Sequence, residues 1–495
     1  MSTILGANTL SSGYDVANSA RFNDGGSQYL ERNFSTTQDS RRKFTVSAWV
    51  KRGTITSSAV IWGSSEGSGE GYNALKFESN NLQVLSGNTS NSGTQLNLDS
   101  NARFEDSTGW YHIVYAVDTT QGTNTNRAKL YVNGTQVTDF GTATYPDQNT
   151  DLLTSTTPQM TIGMRDLRGT NANFWDGYIC EVVFVDNQQL DPTSFGEFDE
   201  DSPTIWKPKS ISGLTFGTNG FYLEFKENGT SQNSSGLGAD TSGNDQHFSI
   251  SGLDAQSQSL DTCTNNYATF LGETMMRSNS TFTNGNLKYN APASNPVFGS
   301  LSTFGVESGK WYAEVKYLTG SNHYLILGIA DEVFATLSDL GSATNTDLGK
   351  TGAALGSHPV DCTIAYVVNT GAYRTNNNNI SWGSGGGDGD IINIALDRDN
   401  RKVYFGVNGT YGNSSDPAAG SNGIDISSLV TGDTYFLGVT NDTGASETTA
   451  EFNFGAGATT AISSTNADAN GHGNFEYAVP SGFYAWNTKN LAEFG

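Results

Sequence analysis

Two short runs, far apart in the chain, end in the same way. Lys402-Val403-Tyr404-Phe405-Gly406-Val407-Asn408-Gly409-Thr410 and Lys129-Leu130-Tyr131-Val132-Asn133-Gly134-Thr135 both carry β-branched and aromatic residues up to an Asn-Gly pair. Asn-Gly tolerates the positive φ that a tight type I′ turn requires, so each run reads as the first arm of a β-hairpin. Two such hairpins predict two separate β-sandwiches, one organised around each.

Strand signals surround both. In the first half, 43–51 alternates Phe44, Val46, Ala48 and Val50 on one face, the period of a half-buried strand. The runs 110–117, 159–164 and 178–185 follow. In the second half, 309–317 alternates Trp311, Ala313 and Val315, with further runs at 324–330, 362–368, 389–397, 434–439 and 450–454. The spacers are turns rich in Gly, Ser, Thr and Asn. Between the halves, 220–225 and 247–250 read as short strands of a piece too small for its own core. The 26 Phe, 21 Tyr and 8 Trp are spread through all 495 residues, which rules out a disordered chain. The expected class is all-β: two antiparallel β-sandwiches joined by a β-rich connector. The expected division is a lead-in 1–20, a sandwich 21–205, the connector 206–298 and a second sandwich 299–495.

Charge removes two partner classes. The net charge is −24, so there is no basic footprint for nucleic acid and an anionic membrane surface would repel the chain. No apolar run approaches the ~20 residues of a spanning helix. The acidic surplus reads as a solvated shell, with Ca²⁺ held by loop carboxylates as the one candidate ion. Cys180, Cys263 and Cys362 stand apart, without metal spacing, and are expected as buried free thiols of a reducing cytoplasm. The opening residues lack a basic n-region and an apolar core, so no secretory signal is expected, and action outside a cell would need another route such as viral lysis.

Catalytic patterns fare poorly. Glu197, Asp199 and Asp201 alternate as a glucanase strand would, and retaining hydrolysis needs two carboxyls ~5–5.5 Å apart. They follow a helical turn started by Asp191-Pro192 and precede Pro203, which reads as a solvated acidic turn. The stretch 344–351 mimics a phosphate-binding loop but has Thr344 where the first Gly belongs. His112, His247, His323, His358 and His472 have no metal-ligand spacing, and His112 reads as an interior side chain. No G-x-S-x-G elbow occurs. The Asn-x-Thr sites at Asn133 and Asn408 read as turn chemistry rather than glycosylation. The chain is therefore not expected to be an enzyme. Trp62, Tyr72, Trp175 and Trp382 stand in Gly/Ser/Asn/Asp-rich surroundings and are the candidate carbohydrate-binding residues, since sugar C–H faces stack on rings while hydroxyls pair with nearby amides and carboxylates. Core placement is the competing expectation for each.

Motif order adds a resemblance. Phe44-Thr45-Val46-Ser47-Ala48-Trp49-Val50-Lys51, Trp110-Tyr111-His112-Ile113-Val114, Tyr131-Val132-Asn133-Gly134 and Trp175-Asp176-Gly177-Tyr178-Ile179-Cys180-Glu181-Val182 occur in the order of a laminin-G/concanavalin A-like jelly roll, which the first sandwich resembles. Gly309-Lys310-Trp311-Tyr312-Ala313-Glu314, Gly389-Asp390-Ile391-Ile392, Leu396-Asp397 and Phe405 with Asn408-Gly409 resemble a SPRY domain, with Asn393 where the family has a second Gly. That resemblance gives Trp382 a second reading, on a peptide-binding surface. A jelly roll, an exit at 195–199, a connector with Gly217-Thr218-Asn219-Gly220-Phe221-Tyr222-Leu223 and Asp240-Thr241-Ser242-Gly243-Asn244, and then a SPRY block is similar to virion structural proteins of tailed bacteriophages. The resemblance implies an outer decoration or fibre protein, made in a host cytoplasm and carried on the virion. Its implied partners are other virion proteins, further copies of itself as a homo-oligomer, and host cell-surface glycan. No cofactor beyond Ca²⁺ is implied. A purely protein–protein virion scaffold and a polysaccharide-degrading enzyme are the alternatives.

Overall fold

A computed structural model describes residues 13–55, 58–65, 71–88, 93–153, 155–167, 170–272, 280–292, 297–319, 325–335, 348, 363–375, 378–428, 430–441 and 447–495. Cys362, His323, His358 and all of 344–351 except Leu348 lie outside the described residues.

Both Asn-Gly hairpins form. Asn133 and Gly134 have φ of 46° and 77°, and Asn408 and Gly409 have 50° and 78°, the double positive φ of a type I′ turn. In each, the Asn also clamps the neighbouring strand. Asn133 donates its N–H to His112 O (2.9 Å) and accepts the His112 N–H at Oδ1 (2.8 Å). Asn408 makes the same two bonds with Ile391, at 2.8 and 2.9 Å. The side chain thus continues the ladder where a two-residue turn would leave a backbone donor unpaired.

The chain divides into two compact units, Gly6–Asn266 and Tyr267–Gly495. In the first, one sheet runs in the order Thr135–Gln136, Ala128–Val132, Tyr111–Asp118, Lys43–Arg52, Gly177–Asp186, Ser19–Phe22, Gln258–Ser259. The second runs Phe140–Thr144, Gly93–Arg103, Asn81–Asn88, Gly71–Glu78, Ala59–Ser65, Gln159–Ile162, Tyr29–Asn33, Ser249–Ser251. All the pairings described within these two sheets are antiparallel. Alternation sends Phe44, Val46, Leu75 and Phe77 into the space between them. Aromatic rings fill its centre: Phe44 lies 5.5 Å from Tyr115 edge-on and 5.9 Å from Phe184.

The two sheets differ on their outer faces. The first is apolar outside as well: Trp49, Tyr178 and Cys180 are buried with Trp206 and Cys263, and Val114, Tyr131 and Val183 with Phe195 and Tyr222. The segments that follow the jelly roll in sequence cover this face. The second sheet is polar outside, as shown below.

The stretch expected as a separate connector, 206–298, is divided between the units. Phe221–Leu223 pairs with Gly177–Asp186, Ser249–Ser251 with Tyr29–Asn33 and Gln258–Ser259 with Ser19–Phe22. Lys288–Ala291 instead pairs with Thr448–Asn453 of the second unit and carries Thr281–Thr283 at the edge. Two- to four-residue strands bury too little apolar surface to stand alone, so they extend existing sheets.

The second unit is a sandwich of a larger sheet, built on Thr448–Asn453, Lys310–Thr319, Ile391–Asp397 and Lys402–Val407, and a smaller one built on Val297–Leu301, Tyr435–Asn441, Leu325–Asp331, Thr363–Val367, Ala372–Thr375 and Asn378–Ser381. Asn393, the departure from the SPRY signature, has a use here. Its Oδ1 accepts the Gly409 N–H (2.7 Å) and its Nδ2 donates to Tyr312 Oη (2.8 Å), which ties the second Asn-Gly turn to the sheet. A glycine at this position would make neither bond.

Candidate functional site

The candidate face is the outer side of the first unit's second sheet. In Gly71–Glu78, Asn73, Leu75 and Phe77 point inward, so Tyr72, Lys76 and Glu78 point out. Register then lines up their neighbours: Lys76 opposes Gln83, Gln83 opposes Asp99 and Asp99 opposes Thr142, one row across four strands. The adjacent row places Asn97 between Leu85 and Thr144. Strands ~4.8 Å apart thus offer a repeating set of donors and acceptors.

The row is partly wired. Lys76 forms a close ion pair with Glu78, and Gln83 Nε2 donates to Asn97 Oδ1 at 3.0 Å. Burial pushes the Glu78 carboxyl up, but hydrogen bonds from Lys76 and Ser58 outweigh it and hold the group below its usual range. Burial pushes Asp99 up, and the charge of Glu78 adds to this. Gln83 Oε1 and Asp99 Oδ1 are enclosed and have no hydrogen-bond partner. Leaving such acceptors unpaired costs ~1–3 kcal/mol each. Their terminal torsions are broad, so either group can turn its free oxygen outward toward a donor. Tyr72 is half-buried on the same face, four residues along its strand from Lys76, with the Arg165 guanidinium 5.8 Å from its ring centroid. Gly87, opposite Tyr72, leaves the ring its room: a Cβ there would lie 3.1 Å from Tyr72 Oη.

Of the four aromatic residues expected to bind sugar, Tyr72 alone is on this face. The other three are corrected by the structure. Trp62 is fully buried, its ring 6.0 Å from Phe184 and 5.9 Å from Phe44. Trp175 is fully buried beside Phe77. The indole N–H of each lacks a partner, a cost accepted for the apolar area that a Trp fills. Trp382 is 7% exposed and donates Nε1–H to Phe405 O at 2.9 Å. Their polar sequence neighbours hid the burial. Gln83, Asp99, Lys76 and Asn97 were not found by sequence. The alternation of Leu96, Leu98 and Leu82, Val84 with polar residues was the available signal, but the polar half reads as ordinary solvent face until register stacks it.

The remaining candidate side chains lie elsewhere in the first unit. His112 is interior: burial drives its pKa down to about 3, its Nδ1 accepts from Trp206 Nε1 (2.9 Å), and Nε2 is left to donate to Ser47 Oγ (2.8 Å). Glu197 is exposed on the strand Gly196–Phe198, opposite Lys207, and Asp199 accepts the N–H groups of Asp201 and Ser202 and pairs with Lys207, so the acidic turn begins only at Asp199. Asp191 stands at the N-cap of the helical turn Pro192–Ser194, with Pro192 at its start, but its side chain does not bond the turn; its Oδ1 accepts from Tyr131 Oη at 3.3 Å. Among the described residues, no three His, Cys, Asp or Glu side chains group as a metal site, and no helix is long and apolar enough to cross a membrane.

Residues 24–191 match the concanavalin A-like lectin/glucanases superfamily. The polar face described above lies inside that concanavalin A-like span. No curated protein matches the chain. Among solved structures, the SPRY domain of human HERC1 is similar at 14% identity, covering 37% of this chain and 92% of that one, with a TM-score of 0.25. A heptameric SAP-like pentraxin from Limulus polyphemus is similar at 16% identity, covering 36% and 80%, with a TM-score of 0.27. The CBM40 of the Ruminococcus gnavus IT-sialidase, solved bound to α2,3-sialyllactose, is similar at 14% identity, covering 30% and 83%, with a TM-score of 0.22.

Proposed function

We propose that the protein is a glycan-recognition protein whose concanavalin A-like unit binds sugar on the outer face of its second sheet. The observation that carries this reading is the Lys76–Gln83–Asp99 row, with unpaired oxygens on Gln83 and Asp99, on the face that also carries Tyr72 four residues along the strand from Lys76. A sugar unit satisfies those acceptors with hydroxyl donors and accepts from Lys76 and Asn97, and a further unit of the same glycan lays a C–H face on Tyr72. The motif order, which resembles that of tailed-bacteriophage virion proteins, supports a decoration or fibre component carried on a particle surface. Many copies there would multiply weak contacts with host glycan.

A second reading is hydrolysis of that glycan. It rests on Glu78 and Asp99, two carboxyls on one face with pKa values pushed in opposite directions, the pattern that separates a base from an acid. Binding without cleavage is favoured because Glu78 is already held by Lys76.

The test is binding of bead-clustered, full-length protein to a glycan array and to host cells, with host polysaccharide as competitor. Saturable binding that Tyr72→Ala and Gln83→Ala weaken supports the glycan face. No binding by the clustered protein overturns it and leaves a protein–protein scaffold. Loss of binding in EDTA would assign Ca²⁺ a part, and release of reducing ends would move the reading to the enzyme.

A further inference from the structure

The second unit has a charged cleft of its own. In Lys310–Thr319, Trp311, Ala313, Val315 and Tyr317 enter the core, so Glu314 and Lys316 project from the other face of the sheet. Register sets Asn453 opposite Glu314 and Glu451 opposite Lys316. The chain returning through 458–476 lies over this face and leaves a small, partly open cleft, with walls that include Glu314, Lys316, Glu451, Glu476, Ile391 and Ile462.

The three carboxylates are not equivalent. Glu314 is consumed: it accepts from Tyr312 Oη (2.9 Å), the Glu476 N–H (2.9 Å) and the Tyr477 N–H (2.8 Å), and so fastens the returning segment. Glu476 is consumed as well, by the Ser463 N–H (2.7 Å) and the hydroxyls of Ser463 and Ser464. Glu451 is not. It is 1% exposed, its Oε1 accepts only the Thr460 N–H (3.0 Å), and its Oε2 has no partner. Lys316 and Lys288 both face Glu451 across the ladder, yet among the described ion pairs neither closes on it. A buried carboxylate with one oxygen unpaired is costly, and a cation offsets both the missing hydrogen bond and the charge where a neutral hydroxyl offsets the first alone. The broad terminal torsion of Glu lets Oε2 turn into the cleft. The side chains of Ile391 and Ile462 line the same space and suit a methylene stem.

We infer that this cleft binds an alkylammonium group, with Glu451 Oε2 as its acceptor and the isoleucine side chains along its stem. A free polyamine and the side chain of a partner protein's lysine share that chemistry. The cleft belongs to the second unit, and its occupation does not depend on the glycan face.

The experiment follows the isoleucine methyl resonances of the full-length protein during titration with cadaverine, with Nα-acetyl-lysine amide and with methyl glucoside. Both amines should shift Ile391 and Ile462 saturably, and methyl glucoside should not. Tighter binding of the lysine amide assigns the site to a protein lysine, and tighter binding of the diamine to a free polyamine. Glu451→Gln, with other methyl resonances unchanged, should weaken the amines at least about tenfold. Absence of shifts, equal binding by the glucoside, or equal affinity in Glu451→Gln overturns the inference. If that variant does not fold, Lys316→Met decides: it removes the competing cation and leaves the acceptor, so amine affinity should rise several-fold, and unchanged affinity overturns the site.

Discussion

Lys51 Nζ lies 2.8 Å from Asp261 Oδ2, joining residues 210 positions apart, with side-chain exposures of 1% and 0%. The pair is fully furnished. Asn266 Oδ1 accepts from the same ammonium (2.7 Å), Trp110 Nε1 donates to Asp261 Oδ1 (3.2 Å), and the ammonium sits 5.5 Å from the Tyr178 ring centroid. It locks the segment after the jelly roll onto the apolar outer face of the first sheet. Asp261→Ala should destabilise the first unit by about 3–5 kcal/mol, because it strands a buried ammonium. The double variant Lys51→Met/Asp261→Leu should recover most of that loss. Urea unfolding followed by tryptophan fluorescence checks both, and a loss under about 1 kcal/mol in Asp261→Ala would show that the ammonium finds another partner.

Glu181 makes the first unit pH-sensitive. It sits at the irregularity between Cys180 and Val183, with φ of 52°, and its Oε2 accepts hydrogen bonds from Tyr222 and Tyr14. Burial first, then the nearby Glu224 carboxylate, raise its pKa from 4.5 to about 7 against the opposing hydrogen bonds and Lys226. A carboxyl raised in the folded state lends stability below its unfolded pKa and loses it as pH climbs through the folded one. Between pH ~4.5 and 7 that loss amounts to about 3 kcal/mol at 1.36 kcal/mol per unit. Glu181→Gln should remove this slope, so the difference in stability between variant and wild type should grow as pH rises. Parallel thermal-denaturation curves at pH 5 and pH 8 would refute it.

The hairpin glycines are held by space as well as by φ. A Cβ on Gly134 would lie 2.4 Å from Trp206 Cε3, and one on Gly409 would lie 2.7 Å from Tyr477 Cδ1, both at φ near +77°. Gly134→Ala and Gly409→Ala should each cost at least about 1–3 kcal/mol. Unfolding midpoints unchanged from wild type would mean that the turns relax freely.

Cys180 and Cys263, 83 positions apart, meet with their sulfurs 3.9 Å apart in the buried layer under Trp206. Burial pushes both thiols up, Cys263 well above its ordinary value. The thiolate is the reactive form, so neither residue should be alkylated by iodoacetamide in the native protein at pH 7.5, and both should be in denaturant. Peptide mapping reads this by site; native labelling of Cys180 would contradict the burial.

Local physics was legible in the chain. Asn-Gly after the β-branched runs at 129–132 and 402–407 allowed two successive residues to take positive φ, and both hairpins form as type I′ turns. Period-two alternation around Phe44 and Trp311 likewise fixed which side of each strand is buried. Register and return paths were not legible. Nothing between positions 76, 83 and 99 says that these three side chains share a row, since that depends on how Gly71–Glu78, Asn81–Asn88 and Gly93–Arg103 align. Trp62 and Trp175 sit among Gly, Ser and Asn yet lie in the core, because burial belongs to the sheet and not to the neighbouring letters. The same holds for Lys51 with Asp261 and for Cys180 with Cys263. Contacts across dozens of residues are chosen by whichever apolar face needs covering, and only the assembled sheets present that face.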